Sequence, residues 1–212
     1  MKFPDLSLEE TAWKEGYRSI AGVDEAGRGA WAGPVAAAAV ILPSGAPELG
    51  RRLSGVRDSK TLSARQREKL FDIIRGAAIA VGVGMIGPEV IVDCGIVAAT
   101  RQAMAHAILA LDPGPDYLLI DYLRLPQVDI PQSSIVKGDS KSLSIAAASI
   151  IAKVSRDRLM LETAEAYQDY GFDRHKGYGT RAHREALEAH GVTSLHRYTW
   201  APFQPVDHRL TG

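Results

Sequence analysis

Residues 20–29 read Ile20-Ala21-Gly22-Val23-Asp24-Glu25-Ala26-Gly27-Arg28-Gly29. An apolar run ends in two adjacent carboxylates, and a glycine-bracketed arginine follows at once. Ile20, Ala21 and Val23 read as the end of a buried strand that the glycines terminate. On a strand, the side chains of Asp24 and Glu25 leave on opposite faces. Bare adjacent anions repel, so this pair suits a divalent cation better than it suits itself. Gly27 and Gly29 permit positive φ and close approach to a ligand. Arg28 supplies a planar cation suited to phosphate. An exposed acidic turn after an edge strand is the plainer alternative, and the apolar lead-in argues against it.

Gly27-x-Gly29-x-x-Ala32, with Glu48 downstream, also fits a loose dinucleotide-binding fingerprint. That fingerprint must open a helix. Here Gly33-Pro34 and the run from Val35 to Leu42 read as a turn into a second strand, and two acids occupy the place where a pyrophosphate needs positive potential.

The rest of the chain reads as follows. Residues 1–18 form a short helix or loose lead-in. Strands cover residues 19–25 and 34–42, and their short connection favours antiparallel pairing. Residues 43–50 are a loop. Ser63 caps a helix that runs to about Arg75, with Leu70, Ile73 and Ile74 on its apolar face. A third strand spans residues 77–86, and helices span 88–93 and 95–111. A fourth strand, Tyr117 to Asp121, again ends in a carboxylate, and a short fifth spans 133–136. Residues 137–141 turn into a long helix over 145–169. A glycine-rich loop covers 171–179, a helix 180–190, and the aromatic tail 195–205 packs back on the body. The predicted fold class is α/β, a mixed sheet flanked by helices, in a domain over residues 1–169 with a C-terminal helical extension over 170–212.

Formal net charge is zero, so no global field announces a nucleic-acid partner, and such binding must rest on local patches. The single cysteine, Cys94, cannot form an internal disulfide and reads as a small core residue in a reducing compartment. No secretory h-region or membrane-length apolar run is visible, so a cytoplasmic location is expected.

Asp24 and Asp121 both end apolar strands. If those strands are neighbours, two acids meet at one sheet edge, with Glu25 and Asp139 as further candidates. Asp139 reads equally well as an acid capping a helix. A carboxylate set without paired His or Cys selects Mg²⁺ or Mn²⁺ over zinc. Two such ions can activate water and stabilise a leaving oxygen in phosphodiester hydrolysis. Asp157, four residues after Lys153, reads as a structural ion-pair partner.

Several motifs now stand in one order. They are the Asp24–Gly29 stretch, Arg57-Asp58-Ser59-Lys60, Leu119-Ile120-Asp121, Lys137-Gly138-Asp139-Ser140, the run from Ala146 to Asp157, and His175-Lys176-Gly177-Tyr178. Together they resemble bacterial ribonuclease HII over roughly residues 20–200. The resemblance implies an RNase H-like fold and endonucleolytic cutting of the RNA strand in RNA–DNA hybrids. It also implies cutting 5′ to a single ribonucleotide embedded in duplex DNA, leaving 3′-hydroxyl and 5′-phosphate ends. It makes Asp24, Glu25, Asp121 and Asp139 the catalytic, metal-holding acids of a two-metal site for Mn²⁺ or Mg²⁺. Gly27, Arg28 and Gly29 match the loop that senses the ribose 2′-hydroxyl, and Tyr178 matches the tyrosine that checks the RNA–DNA junction. Ser59, Lys60 and Lys176 join them as substrate-binding candidates. The sequence departs from the family's pattern at Tyr122, where glycine is usual after the third acid.

Two basic stretches suit a nucleic-acid backbone. Residues 174–184 hold no acid, and residues 51–69 carry seven Lys/Arg against Asp58 and Glu68. The first encloses Tyr178, suited to stacking. His175 and His183 read as phosphate supports or solvent-facing residues, and the C-terminal histidines, His208 among them, match no zinc pattern. No heptad or large apolar face predicts assembly, so a monomer is expected. The competing readings are a DNA nuclease or recombinase on a related fold, and a hybrid-binding protein without catalysis.

Overall fold

The computed structural model describes residues 3–200 and residue 203. Five strands, β1 (Ile20–Ala26), β2 (Val35–Ile41), β3 (Ala80–Ile86), β4 (Tyr117–Asp121) and β5 (Gln132–Ile135), form one sheet. Its order is β3-β2-β1-β4-β5. The first three strands pair antiparallel, while β4 and β5 run parallel to β1. The fingerprint alternative fails here, because the residues after the glycines form strand β2 and not a helix.

Helices α3 (Ala64–Ala77) and α6 (Leu143–Ala166) cover one face of the sheet, and α5 (Ile96–Leu109) covers the other. Strand β2 is therefore buried along its whole length. Its four central alanines let helices approach from both sides, where larger side chains would hold them off. Gly22 allows the tightest approach. A β-carbon there would stand 2.2 Å from the Ser144 carbonyl carbon of α6. Ser63 caps α3 with a full capping box through Gln66, as its sequence predicts.

The lead-in becomes a helix, α1 (Ser7–Lys14). It is fixed by the buried Glu9, whose Oε1 accepts from Ser142 Oγ (2.6 Å), Ser144 N (2.8 Å) and Ser144 Oγ (2.6 Å). A carboxylate at the start of α6 satisfies its free N–H groups and opposes the positive end of its dipole. A one-turn helix, α2 (Leu49–Arg52), interrupts the expected 43–50 loop at its end, and α4 (Pro88–Cys94) follows β3. Cys94 is exposed, contrary to its reading as a core residue. It ends α4 just before Gly95, where the chain turns out toward solvent.

Beyond α6 come α7 (Phe172–His175) and α8 (Arg181–His190). The described part of the tail returns to the body as expected: His196 and Arg197 are buried, and Arg197 N donates to Trp31 O at 2.8 Å; residues 201, 202, 204 and 205 lie outside the described residues. No helix among the described residues is long and apolar enough to cross a membrane.

Candidate active site

Parallel pairing places Val23 opposite Ile120, so the next residues on the two strands, Asp24 and Asp121, reach the same sheet edge. A turn after β5 brings Asp139 beside them, because Gly138 N donates to Asp121 Oδ1 at 2.6 Å. A β-carbon on Gly138 would stand 2.6 Å from Ile145 Cδ1 and 3.3 Å from Asp121 Oδ1, so a side chain there would push on the Ile145 tip and crowd that bond. Glu25 completes the group. Asp24 Oδ1 accepts from Glu25 N at 2.7 Å, and Arg28 Nη1 donates to Glu25 Oε1 at 3.1 Å.

All four carboxyls are held above their ordinary values. Burial is the largest cause for Asp24, followed by Glu25, Asp121 and Asp139. Burial likewise raises Glu25 against the pull of Arg28, and Asp121 against the Gly138 N–H. Asp139 is raised by burial and then by Asp58 and Asp121. Burial alone would lower the Lys60 ammonium, but Asp58, Asp24, Asp139 and Glu25 more than offset it and raise it.

This set fits a hard divalent cation. Its donors are all carboxylate oxygens, and Glu25 Oε2 is buried with no hydrogen-bond partner. Arg28 meets only Oε1, so this second oxygen is left for a cation to meet. Among the described residues no three potential ligands already converge in coordinating geometry.

A cleft of about 300 Å³ opens beside the acids, lined by Glu25, Gly27, Arg28, Gly29, Lys60 and Tyr178 among others. A larger hollow of about 930 Å³ lies between α1 and the 43–56 loop. It is mostly apolar and holds none of the four clustered acids, so the chemistry belongs to the smaller cleft. Gly27 has the positive φ expected of it, +88°, and a β-carbon there would meet Arg156 Nε at 2.1 Å. Gly29 has neither property: its β-carbon position meets nothing within 4 Å, which leaves that side of the cleft open. Ser59 is buried and fixed by Ser149 Oγ (3.3 Å to its N) and Arg67 Nη1 (3.0 Å to its O). Lys176 does not line the cleft. Its Nζ donates to the Asp173 carbonyl.

The loop of Tyr178 is held from below. Gly177 and Gly179 serve this packing more than approach to a ligand: their β-carbon positions would meet Ala32 O at 2.3 Å and the Trp31 ring at 2.2 Å. Lys153 Nζ stands 5.0 Å and Arg156 Cζ 5.3 Å from the Tyr178 ring centroid. Lys153 also bonds Asp157 at 2.7 Å, the predicted pair.

His183 neither supports a phosphate nor faces solvent. It is fully buried, and its partners fix its tautomer. His196 Nδ1 accepts from Thr193 N (2.9 Å), so its Nε2–H donates to His183 Nε2 (3.1 Å). His183 Nδ1–H then donates to Tyr178 O (3.0 Å). His175, stacked on His183 at 4.5 Å, accepts from Gly177 N and donates to Tyr170 O. Burial lowers His183 to about 4 and lowers His175 and His196 as well. His208 lies outside the described residues.

Sequence reasoning gave two buried arginines no role. Arg156 donates to Pro34 O, Lys176 O and Ala32 O at 2.8–3.0 Å. Arg197 donates to Gly33 O and Arg28 O at 2.9–3.1 Å. Together they tie the glycine–arginine loop to the Tyr178 loop. Arg156 left a trace in the sequence: it stands four residues from Ala152 and from Met160, both buried, so a cation occupies the apolar stripe of α6. Arg197 left none.

The sequence model of the Ribonuclease HII family matches residues 21–203. The chain belongs to the ribonuclease HII family. It is 52% identical over 204 residues to ribonuclease HII of Bacillus cereus strain Q1, covering 96% of this chain and 77% of that one. The ribonuclease H2 of Pyrococcus horikoshii OT3 superposes with a TM-score of 0.75 at 28% identity, over 87% of this chain and 95% of the other. Ribonuclease HII of Archaeoglobus fulgidus, solved in a complex with PCNA, gives a TM-score of 0.72 at 30% identity, over 88% and 97%. Membership of the ribonuclease HII family makes the chain a hydrolase of the type 2 ribonuclease H class, and the open mixed sheet flanked by helices is the RNase H-like fold.

Proposed function

We propose that this chain is a divalent-metal-dependent endoribonuclease acting on RNA–DNA hybrids and on duplex DNA that contains ribonucleotides, cutting 5′ to a single embedded ribonucleotide. The observation that carries the reading is the buried, unpartnered Glu25 Oε2 within four clustered carboxylates. Asp24, Glu25, Asp121 and Asp139 would hold Mg²⁺ or Mn²⁺. When bound, two such ions supply an activated water and charge stabilisation for a leaving oxygen.

The chain's own residues supply the rest. Arg28 and Lys60, in the cleft beside the acids, face phosphate oxygens. The open side at Gly29 admits the sugar, and the backbone of residues 27–29 reads its 2′-hydroxyl. Tyr178 packs on the sugar at the junction. In the hydrolysis, a water oxygen bonds to phosphorus as the bond to the 3′-oxygen breaks. That oxygen takes a proton, leaving a 3′-hydroxyl and a 5′-phosphate. Residues 1–169 serve as the catalytic body and 170–212 as a substrate-binding extension, in a cytoplasmic monomer.

The test is incubation with Mg²⁺ or Mn²⁺ and a duplex holding one ribonucleotide, beside its all-DNA counterpart and an EDTA control. Cleavage of the first duplex alone, abolished by EDTA and by Asp121→Asn with the fold intact, is the expected result. Equal cleavage of the all-DNA duplex would identify a DNA nuclease, and binding without cleavage would identify a hybrid-binding protein.

A further inference from the structure

Among the described residues three non-glycine side chains sit on a left-handed backbone: Tyr122 at φ +57°, Lys137 at +55° and Lys176 at +52°. A β-carbon crowds the following carbonyl in that region, so glycine is the residue of least cost there. Each of the three adjoins a candidate site residue, since Tyr122 follows Asp121, and Lys137 and Lys176 stand two residues before Asp139 and Tyr178. Strained backbone of this kind gathers where a side chain has work to do. The Lys176 side chain is accounted for by its bond to the Asp173 carbonyl.

Tyr122 and Lys137 have no such packing role. Tyr122 is 62% exposed, although large aromatic residues are usually well covered, and Lys137 is exposed as well. The fold holds the two close together: Tyr122 N donates to Ile135 O at 3.0 Å, and Gly138 N donates to Asp121 Oδ1 at 2.6 Å. Val136, 60% exposed, lies between these anchors. An exposed aromatic residue, an exposed aliphatic one and an exposed cation thus stand just past the ends of β4 and β5, beside Asp121 and Asp139. The cleft with Arg28, Lys60 and Tyr178 lies on the other side, at the β1–β2 connection.

We propose that Tyr122, Val136 and Lys137 form a second contact for the nucleic-acid strand, taking the nucleotides that leave the acids on the β5 side. The ring packs on a sugar or base face, and the ammonium meets a phosphate. Aromatic stacking beside cations is the chemistry that grips a strand without reading its sequence. The proposal rests on the reading of the acids as a nucleic-acid-cleaving site.

The test uses Tyr122→Gly and Lys137→Gly on three duplexes that each hold one ribonucleotide. One is extended on both sides of the cut, and the other two are truncated close to it on one side or the other. Tyr122→Gly relieves the backbone, so it should melt no lower than the parent. It should raise KM roughly tenfold on the extended duplex and leave kcat unchanged, because the contact it removes is to nucleotides beyond the cut. On the truncated duplex that lacks the β5-side nucleotides, parent and variant should be indistinguishable. Lys137→Gly should lower the slope of log KM against log salt by about one. An unchanged KM on the extended duplex overturns the proposal. A lower melting point with equal loss on all three duplexes also overturns it, because that is the signature of a structural residue. Failure of the parent to cut any of the three would refute the underlying reading of the acids, whereas a parent that cuts and a Tyr122→Gly that matches it refutes the proposal alone.

Discussion

Asp24→Asn should stabilise the metal-free protein while it abolishes catalysis. Asp24 is 5% exposed, and Glu25, Asp121 and Asp139 all push its carboxyl up after burial itself. Two unit charges about 5 Å apart repel by about 3 kcal/mol at an effective dielectric of about 20. Lys60 and Arg28 offset part of this, leaving an expected gain of about 1–3 kcal/mol when the charge is removed. The amide keeps the oxygen that accepts from Glu25 N, so no bond is lost. At about 2–4 °C per kcal/mol for a chain of this size, the melting point in EDTA at pH 8 should rise by about 2–12 °C. A raised carboxyl destabilises the fold above its folded-state value, and the penalty is relieved as pH falls toward the ordinary carboxylate range near 4. The difference between variant and parent should therefore shrink on acidification. Magnesium should stabilise the parent more, by about 2.7 kcal/mol at a hundred times its Kd, and so narrow or reverse the order. The assay is paired thermal melting with EDTA or Mg²⁺ across pH. A variant that melts below the parent in EDTA at pH 8 would refute the argument that clustered charge strains the site.

Three further outcomes are expected. Tyr178→Ala should reduce kcat/KM at a single embedded ribonucleotide by about ten- to a hundredfold, and more than on a continuous hybrid; equal losses would make it a general binding residue. Arg197→Met removes the donor to Arg28 O and Gly33 O, and should cost about 3 kcal/mol in stability with at least tenfold loss of activity on every ribonucleotide substrate, as read by melting and by kinetics at a temperature where the variant stays folded. His183→Phe removes a histidine lowered to about 4. Because burial keeps it neutral when folded while the unfolded chain protonates below about 6.5, the parent alone loses stability as pH falls toward 4, so its melting point should drop relative to the variant's between pH 7.5 and pH 4.5.

The sequence by itself determined most of the elements and singled out the acids as a set. Alternation, glycine punctuation and the Ser63 cap are local signals; β4 ends in Asp121, and β1 carries Asp24 and Glu25 just before its last residue. Donor type alone points to a hard divalent cation over zinc, since every candidate ligand is a carboxylate. Strand neighbourhood is not local. Only the parallel pairing of β1 with β4 brought Asp24 to Asp121, and only the Gly138–Asp121 bond brought Asp139 beside them, while Ser142 and not Asp139 caps the long helix. The histidines and the two buried arginines were misread or passed over for one physical reason. A polar side chain looks like surface until its partners are known, and theirs are backbone carbonyls up to 169 residues away in sequence. Cys94 failed in the opposite sense, because an apolar neighbourhood in sequence says nothing about which side of a helix end meets solvent. Tyr122 shows the limit most plainly: its identity is written in the chain, but its strained backbone and exposed ring exist only once β4 and β5 are paired.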